Sequence, residues 1–181
     1  MCFLHRGFLL LACVEGSPFL TVTKTPNRKE NIMADYFTNF SFVVPLPDTA
    51  AQEYALDLAG KGSSIQQGDE APADFPPSLE EVTEDWQFEA EAESSPGKCG
   101  LWLHSENGGI EAVCAFIQHL LQKYSSTEPV TFEWSHDCSK PRTDAYGGGA
   151  AIITATEIKT MSTSQWLQEN IGLLTPPEPY A

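Results

Sequence analysis

Positive charge is scarce in this chain: ten Lys and Arg residues stand against 25 Asp and Glu, leaving a formal net charge of −15 over 181 residues. Nucleic-acid backbones and anionic lipid surfaces are held by concentrated Lys and Arg. Their shortage argues against direct nucleic-acid or membrane binding. No apolar run approaches the roughly 20 residues that span a bilayer. Cys2, Cys13, Cys99, Cys114 and Cys138 form no Cys-x-x-Cys pair. An odd number of cysteines without paired spacing gives neither a disulfide framework nor a zinc ribbon, so the expectation is reduced thiols in a cytoplasmic protein. The Gly-rich stretch Tyr146-Gly147-Gly148-Gly149 matches neither the phosphate-loop pattern nor the dinucleotide fingerprint. It also leads into a strand, whereas a phosphate cradle leads into a helix.

What is present is acidic and unevenly placed. Residues 1–33 contain four basic and two acidic residues, so the remainder carries 6 basic against 23 acidic, a net of −17. Ten carboxylates and no basic residue lie between Asp69 and Glu93.

The first 32 residues admit three readings. Leu10-Leu11-Ala12-Cys13 imitates a lipoprotein cleavage box, but the apolar core before it is shorter than the roughly 7–15 residues of a secretory signal. Thr21 to Asn31 has the mixed polar composition of a disordered tail. The preferred reading is a translated leader: Lys29-Glu30 can be encoded as AAGGAA, a purine run like a bacterial ribosome-binding site, with Met33 at a suitable distance. A single domain of about 140 residues, 33–175, then follows, with a Pro-rich tail at 176–181.

Periodicity supplies the elements. Phe37 to Leu46 is aromatic and β-branched and reads as a strand ending at two prolines. Ala51, Tyr54, Ala55 and Leu58 fall at helical spacing behind a cap at Asp48 or Thr49, with Gln52 as the capping-box partner of Thr49 and Gly60 and Gly62 expected to end the helix. Residues 62–84 read as an acidic surface loop. Asp85 to Glu93 alternates Trp86, Phe88, Ala90 and Ala92 with Gln87, Glu89, Glu91 and Glu93, which makes a strand with a carboxylate stripe, paired as a hairpin with Cys99 to Ser105. Ile110, Val113, Cys114, Ile117, Leu120, Leu121 and Tyr124 form the longest apolar helical stripe, and His119 falls on the opposite, solvent side. Pro129 to Ser135 and Ala150 to Ile158 read as strands, and Ser162 with Gln165 caps a last helix. The fold class expected is α+β in the order β-α-β-β-α-β-β-α, whose first six elements match a ferredoxin-like split βαβ core with an extra strand and helix.

Two regions are candidates for function. The connection 136–149 gathers His136, Cys138, Arg142, Asp144 and Tyr146 between strands, a setting that suits an enzyme or small-ligand binder, although ordinary hairpin connections share that composition. His136 with Cys138, or with His104 across the sheet, offers metal-ligand or nucleophile chemistry, but no further ligand or orienting acid has recognisable spacing. No metal and no cofactor are expected. The second region is the acidic stripe Glu89, Glu91 and Glu93, with Arg142 as a further binding candidate. Regularly spaced carboxylates can occupy the basic groove of a partner, or simply keep an acidic protein soluble.

The segments Met33 to Pro47 (MADYFTNFSFVVPLP) and Tyr146 to Ile158 (YGGGAAIITATEI) resemble small acidic bacterial and phage proteins of unknown function. The resemblance implies a bacterial or mobile-element origin and a start at Met33, and transfers no site residue. The reading favoured is a non-enzymatic protein-interaction module with a basic protein partner, with self-assembly through an exposed sheet face as a further option.

Overall fold

The computed structural model describes residues 34–174 except 94, 96–98 and 144. The expectations for residues 1–32 and for the tail at 176–181, and the placement of Asp144, lie outside the described residues. The fold is α+β. Six strands, β1 (Tyr36–Pro45), β2 (Glu89–Ala92), β3 (Gly100–Ser105), β4 (Val130–Cys138), β5 (Gly147–Ile153) and β6 (Ile158–Ser162), form one sheet. Its order is β2-β3-β1-β4-β5-β6, and every neighbouring pair is antiparallel. The helices are α1 (Thr49–Gln66), α2 (Pro77–Glu80), α3 (Ile110–Lys123) and α4 (Thr163–Leu174), with a 3₁₀ turn at Thr83–Asp85.

Alternation along the strands separates two faces. Phe40, Val44, Leu101, Leu103, Val130, Phe132, Ala151 and Ile153 point into the core, where Val113, Phe116, Ile117 and Leu120 of α3 and Ala55 and Leu58 of α1 meet them. The stripe on α3 is the main support of this core, as its periodicity predicts. The intervening strand positions, including Val43, Trp102, Glu133 and Ile152, remain exposed on the other face. Antiparallel sheets tolerate this because one face can stay in water.

The differences from the sequence reading have physical causes. Helix α1 continues through Gly60 and Gly62 to Gln66, because Gly62 is where the indole of Trp86 lies against the helix: a Cβ there would stand 2.2 Å from the ring. Of the two caps that the sequence offers, Asp48 serves, its carboxylate accepting the Ala51 N–H at 2.8 Å. Gln52 instead donates from its side-chain amide to the Gly100 carbonyl at 2.6 Å, linking the helix to the sheet.

Residues 62–84, expected as a surface loop, hold the end of α1, α2 and the 3₁₀ turn, and Phe75, Leu79 and Thr83 are buried. Sparse apolar residues sufficed because Phe75 packs on Trp86, with ring centroids 6.2 Å apart. The strand expected from Asp85 begins only at Glu89, after the 3₁₀ turn, and its inner face leaves the core by Ala92, which is exposed.

The segment 150–158 is split. Thr154 turns the chain, its hydroxyl accepting the Glu157 N–H at 2.9 Å while its own N–H donates to the Glu157 carbonyl at 2.8 Å. β-Branched residues suit a strand, but this local side-chain hydrogen bond competes for the backbone, and the additional strand β6 results. Strand β5 correspondingly starts at Gly147. At Gly149 a Cβ would lie 2.2 Å from the Trp134 ring, so the glycine there lets a strand pass a tryptophan.

Candidate functional site

The open face is most developed at the β2-β3-β1 end, where register builds two cross-strand rows. Glu89 faces His104, which faces Ser41, and Glu91 faces Trp102, which faces Val43. Cross-strand neighbours stand about 4.5–5.5 Å apart at Cβ, so Glu89 and Glu91, two residues apart on one strand, flank the imidazole of His104. His104 Nε2 lies 3.5 Å from Glu91 Oε1 and 3.9 Å from Glu89 Oε2. The two carboxylates are exposed, whereas Nε2 is shielded from solvent and has no hydrogen-bond partner. Trp102 packs on the His104 ring, with centroids 4.2 Å apart, and its indole N–H donates to Ser41 Oγ at 2.9 Å, which fixes both rings in place. A shallow depression of about 400 Å³ beside them is lined by Asn39, Ser41, Trp102, His104 and Glu106.

Glu93 departs from the stripe. It is half-buried, and its carboxylate accepts the Ser95 N–H at 2.8 Å, which places it in the hairpin turn. Of the three stripe residues the structure therefore brings Glu89 and Glu91 together. The sequence reading missed their meeting with His104, because 13 to 15 residues separate them along the chain and only strand register brings them together.

The second candidate region is differently built from the expected loop. Strand β4 extends through His136 to Cys138, so both residues sit on a strand, and the connection shortens to 139–146. His136 Nδ1 stands 3.0 Å from Thr38 Oγ1 on β1. His136, Asp137 and Tyr146 line a cleft of about 270 Å³ together with Tyr36, Gly148 and Thr163. Cys138 is buried and does not line this cleft, and Arg142 is exposed away from it. His136 thus has a hydroxyl neighbour but no thiol nucleophile beside it in the cleft. The carboxylate of Asp137 accepts its neighbour's backbone N–H, that of Cys138, at 2.6 Å.

A third cluster joins the helices. His119, expected in solvent, is half-buried, because α1 lies beside α3: Tyr54 Oη is 2.9 Å from His119 Nε2, and the Lys123 ammonium sits 4.1 Å from the Tyr54 ring centroid. Desolvation, with the Lys123 charge adding to it, holds the His119 pKa below its ordinary value. Burial raises the Tyr54 and Tyr124 hydroxyls. Such a network satisfies polar groups between the two helices.

No protein-family model matches the chain, and neither curated proteins nor solved structures yield a match.

Proposed function

We propose that this chain is a non-enzymatic protein-interaction module that presents the open face of β2, β3 and β1 to a basic protein partner. The observation carrying this reading is the combination at one place of an accessible tryptophan with exposed carboxylates: Trp102 is 37% exposed and stands between Glu91 and Val43 in one cross-strand row. Interfaces concentrate energy in aromatic anchors, and a carboxylate rim attracts and orients a Lys- or Arg-rich surface. The net charge of −15 extends that attraction beyond contact distance.

Free thiols at Cys99, Cys114 and Cys138 support a cytoplasmic setting. The same reading takes β2-β3-β1-β4 with α1 and α3 as a ferredoxin-like split βαβ core, extended by β5, β6 and α4. The strand order and antiparallel pairing support it. A bacterial or phage origin belongs to the proposal as well.

The test is a pull-down with the full chain and with a Glu89→Gln, Glu91→Gln, Glu93→Gln triple variant. Wild type recovers a basic protein that elutes as salt rises, and the triple variant does not. Equal recovery by both chains refutes the proposal.

The cleft at His136 supports the second reading, a small-ligand site, since it is concave and lined by Tyr146, His136 and the Thr163 hydroxyl. A His136→Ala variant that retains every measurable ligand affinity would remove it.

A further inference from the structure

We infer that Glu89, Glu91 and His104 form a binding site for a divalent transition-metal ion of the zinc type. The inference rests on side-chain geometry and shares Glu89 and Glu91 with the interaction reading, but its test reads metal uptake and not partner recovery.

The trio offers one imidazole nitrogen and two carboxylate oxygens, and these three ligand atoms lie within 4.8 Å of one another. Zinc bonds to such atoms at about 2.0–2.2 Å. Two bonds of that length meeting at a tetrahedral angle place the ligand atoms roughly 3.4 Å apart. The separations from His104 Nε2, 3.5 Å and 3.9 Å, match that edge within a small rotation of exposed glutamate side chains.

An N–H···O contact between the imidazole and either carboxylate is the competing account, and zinc titration decides between the two. Charge-assisted N–H···O contacts close to about 2.7–2.9 Å, whereas Nε2 stays outside that range from both carboxylates and makes no hydrogen bond. An imidazole nitrogen shielded from water and aimed between two carboxylates needs either a proton it can donate or a cation it can bind.

The scaffold suits a ligand set. Glu89 and Glu91 are spaced i, i+2 on β2, which sends both to one face, and His104 is the direct cross-strand partner of Glu89 on β3. Packing on Trp102 holds the imidazole in one orientation before any ion arrives, and preorganised ligands lose less freedom on binding. Three protein ligands leave at least one coordination position open, as in sites that retain water or an exogenous group. His104 also lines the depression of about 400 Å³, so an added ligand has room beside it. An oxygen-rich set with one nitrogen suits zinc or manganese and disfavours copper(I).

Isothermal titration of the chelator-treated full chain with zinc chloride tests the site. One strong equivalent is expected for wild type. His104→Gln and Glu91→Gln should each weaken that association at least tenfold. Cobalt(II) absorption supplies a second readout, with a tetrahedral visible spectrum in wild type that is lost in His104→Gln. Glu91 is a surface residue, so its variant remains informative even where His104→Gln perturbs folding, which circular dichroism reports. Absence of zinc uptake by wild type overturns the inference, as does undiminished uptake by a folded His104→Gln or Glu91→Gln chain.

Discussion

Alanine substitutions at Gly60 and Gly62, two residues apart on one helix, should change stability in opposite directions. Both glycines lie within α1, where Gly costs about 0.8–1.0 kcal/mol relative to Ala. A Cβ at Gly60 meets nothing within 4 Å, so Gly60→Ala recovers that amount as added stability of about 1 kcal/mol. At Gly62 the same Cβ would stand 2.2, 2.4 and 2.6 Å from three ring carbons of Trp86. The indole has nowhere to retreat: Phe88, Phe116 and Phe75 surround it at 4.9, 5.6 and 6.2 Å, and its N–H is tied to the Ala59 carbonyl at 3.2 Å. Overpacking a closed core costs about 1–3 kcal/mol, and this enclosure places Gly62→Ala near the top of that range. Subtracting the propensity gain leaves a net loss of about 2 kcal/mol. Each kcal/mol moves the melting temperature of a domain this size by about 4 °C. Urea unfolding followed by circular dichroism should therefore show Gly60→Ala stabilised and Gly62→Ala destabilised, with unchanged m-values. Equal stabilisation by both substitutions would refute the packing of Trp86 against α1.

Thiol labelling and acid titration give further checks. Burial, with the Glu111 charge adding to it, pushes the Cys114 thiol up to about 12, so at pH 8 it should resist alkylation until the protein unfolds, whereas half-buried Cys99 is labelled in the folded state. Mass mapping of the labelled peptides decides between them. The depressed His119 pKa means that the unfolded chain takes up this proton first as pH falls. The contribution is present above the unfolded value of about 6.5 and is lost as pH falls through the folded pKa. His119→Gln should lessen the stability lost over that window, measured by urea midpoints at successive pH values.

Local pattern carried the elements whose burial follows from their own periodicity. The α3 stripe is core, as read, with Val113, Cys114, Ile117, Leu120 and Leu121 all buried, and the segment read as the hairpin's second strand is β3, where Leu101 and Leu103 turn inward and Trp102 outward. Signals failed where a distant residue overrides local preference. Gly62 stops a helix in isolation but admits Trp86 in the folded chain, and Phe75 anchors a segment whose composition looks like loop. Thr154 counts as a strand residue until its hydroxyl closes a turn. The acidic stripe was legible as charge, since Glu89 and Glu91 alternate on β2. Its encounter with His104 was not, because one residue of slip in register would send the imidazole to the opposite face.

The proposed interaction is tested most directly by the salt dependence of partner affinity. The basic protein recovered by the wild-type chain should lose affinity steeply as the screening length falls from about 10 Å to about 3 Å. The Glu89→Gln, Glu91→Gln, Glu93→Gln chain should bind it at least tenfold more weakly at low salt and with a shallower slope. A partner held equally by both chains, with affinity insensitive to salt, would contradict a contact made through the carboxylate face.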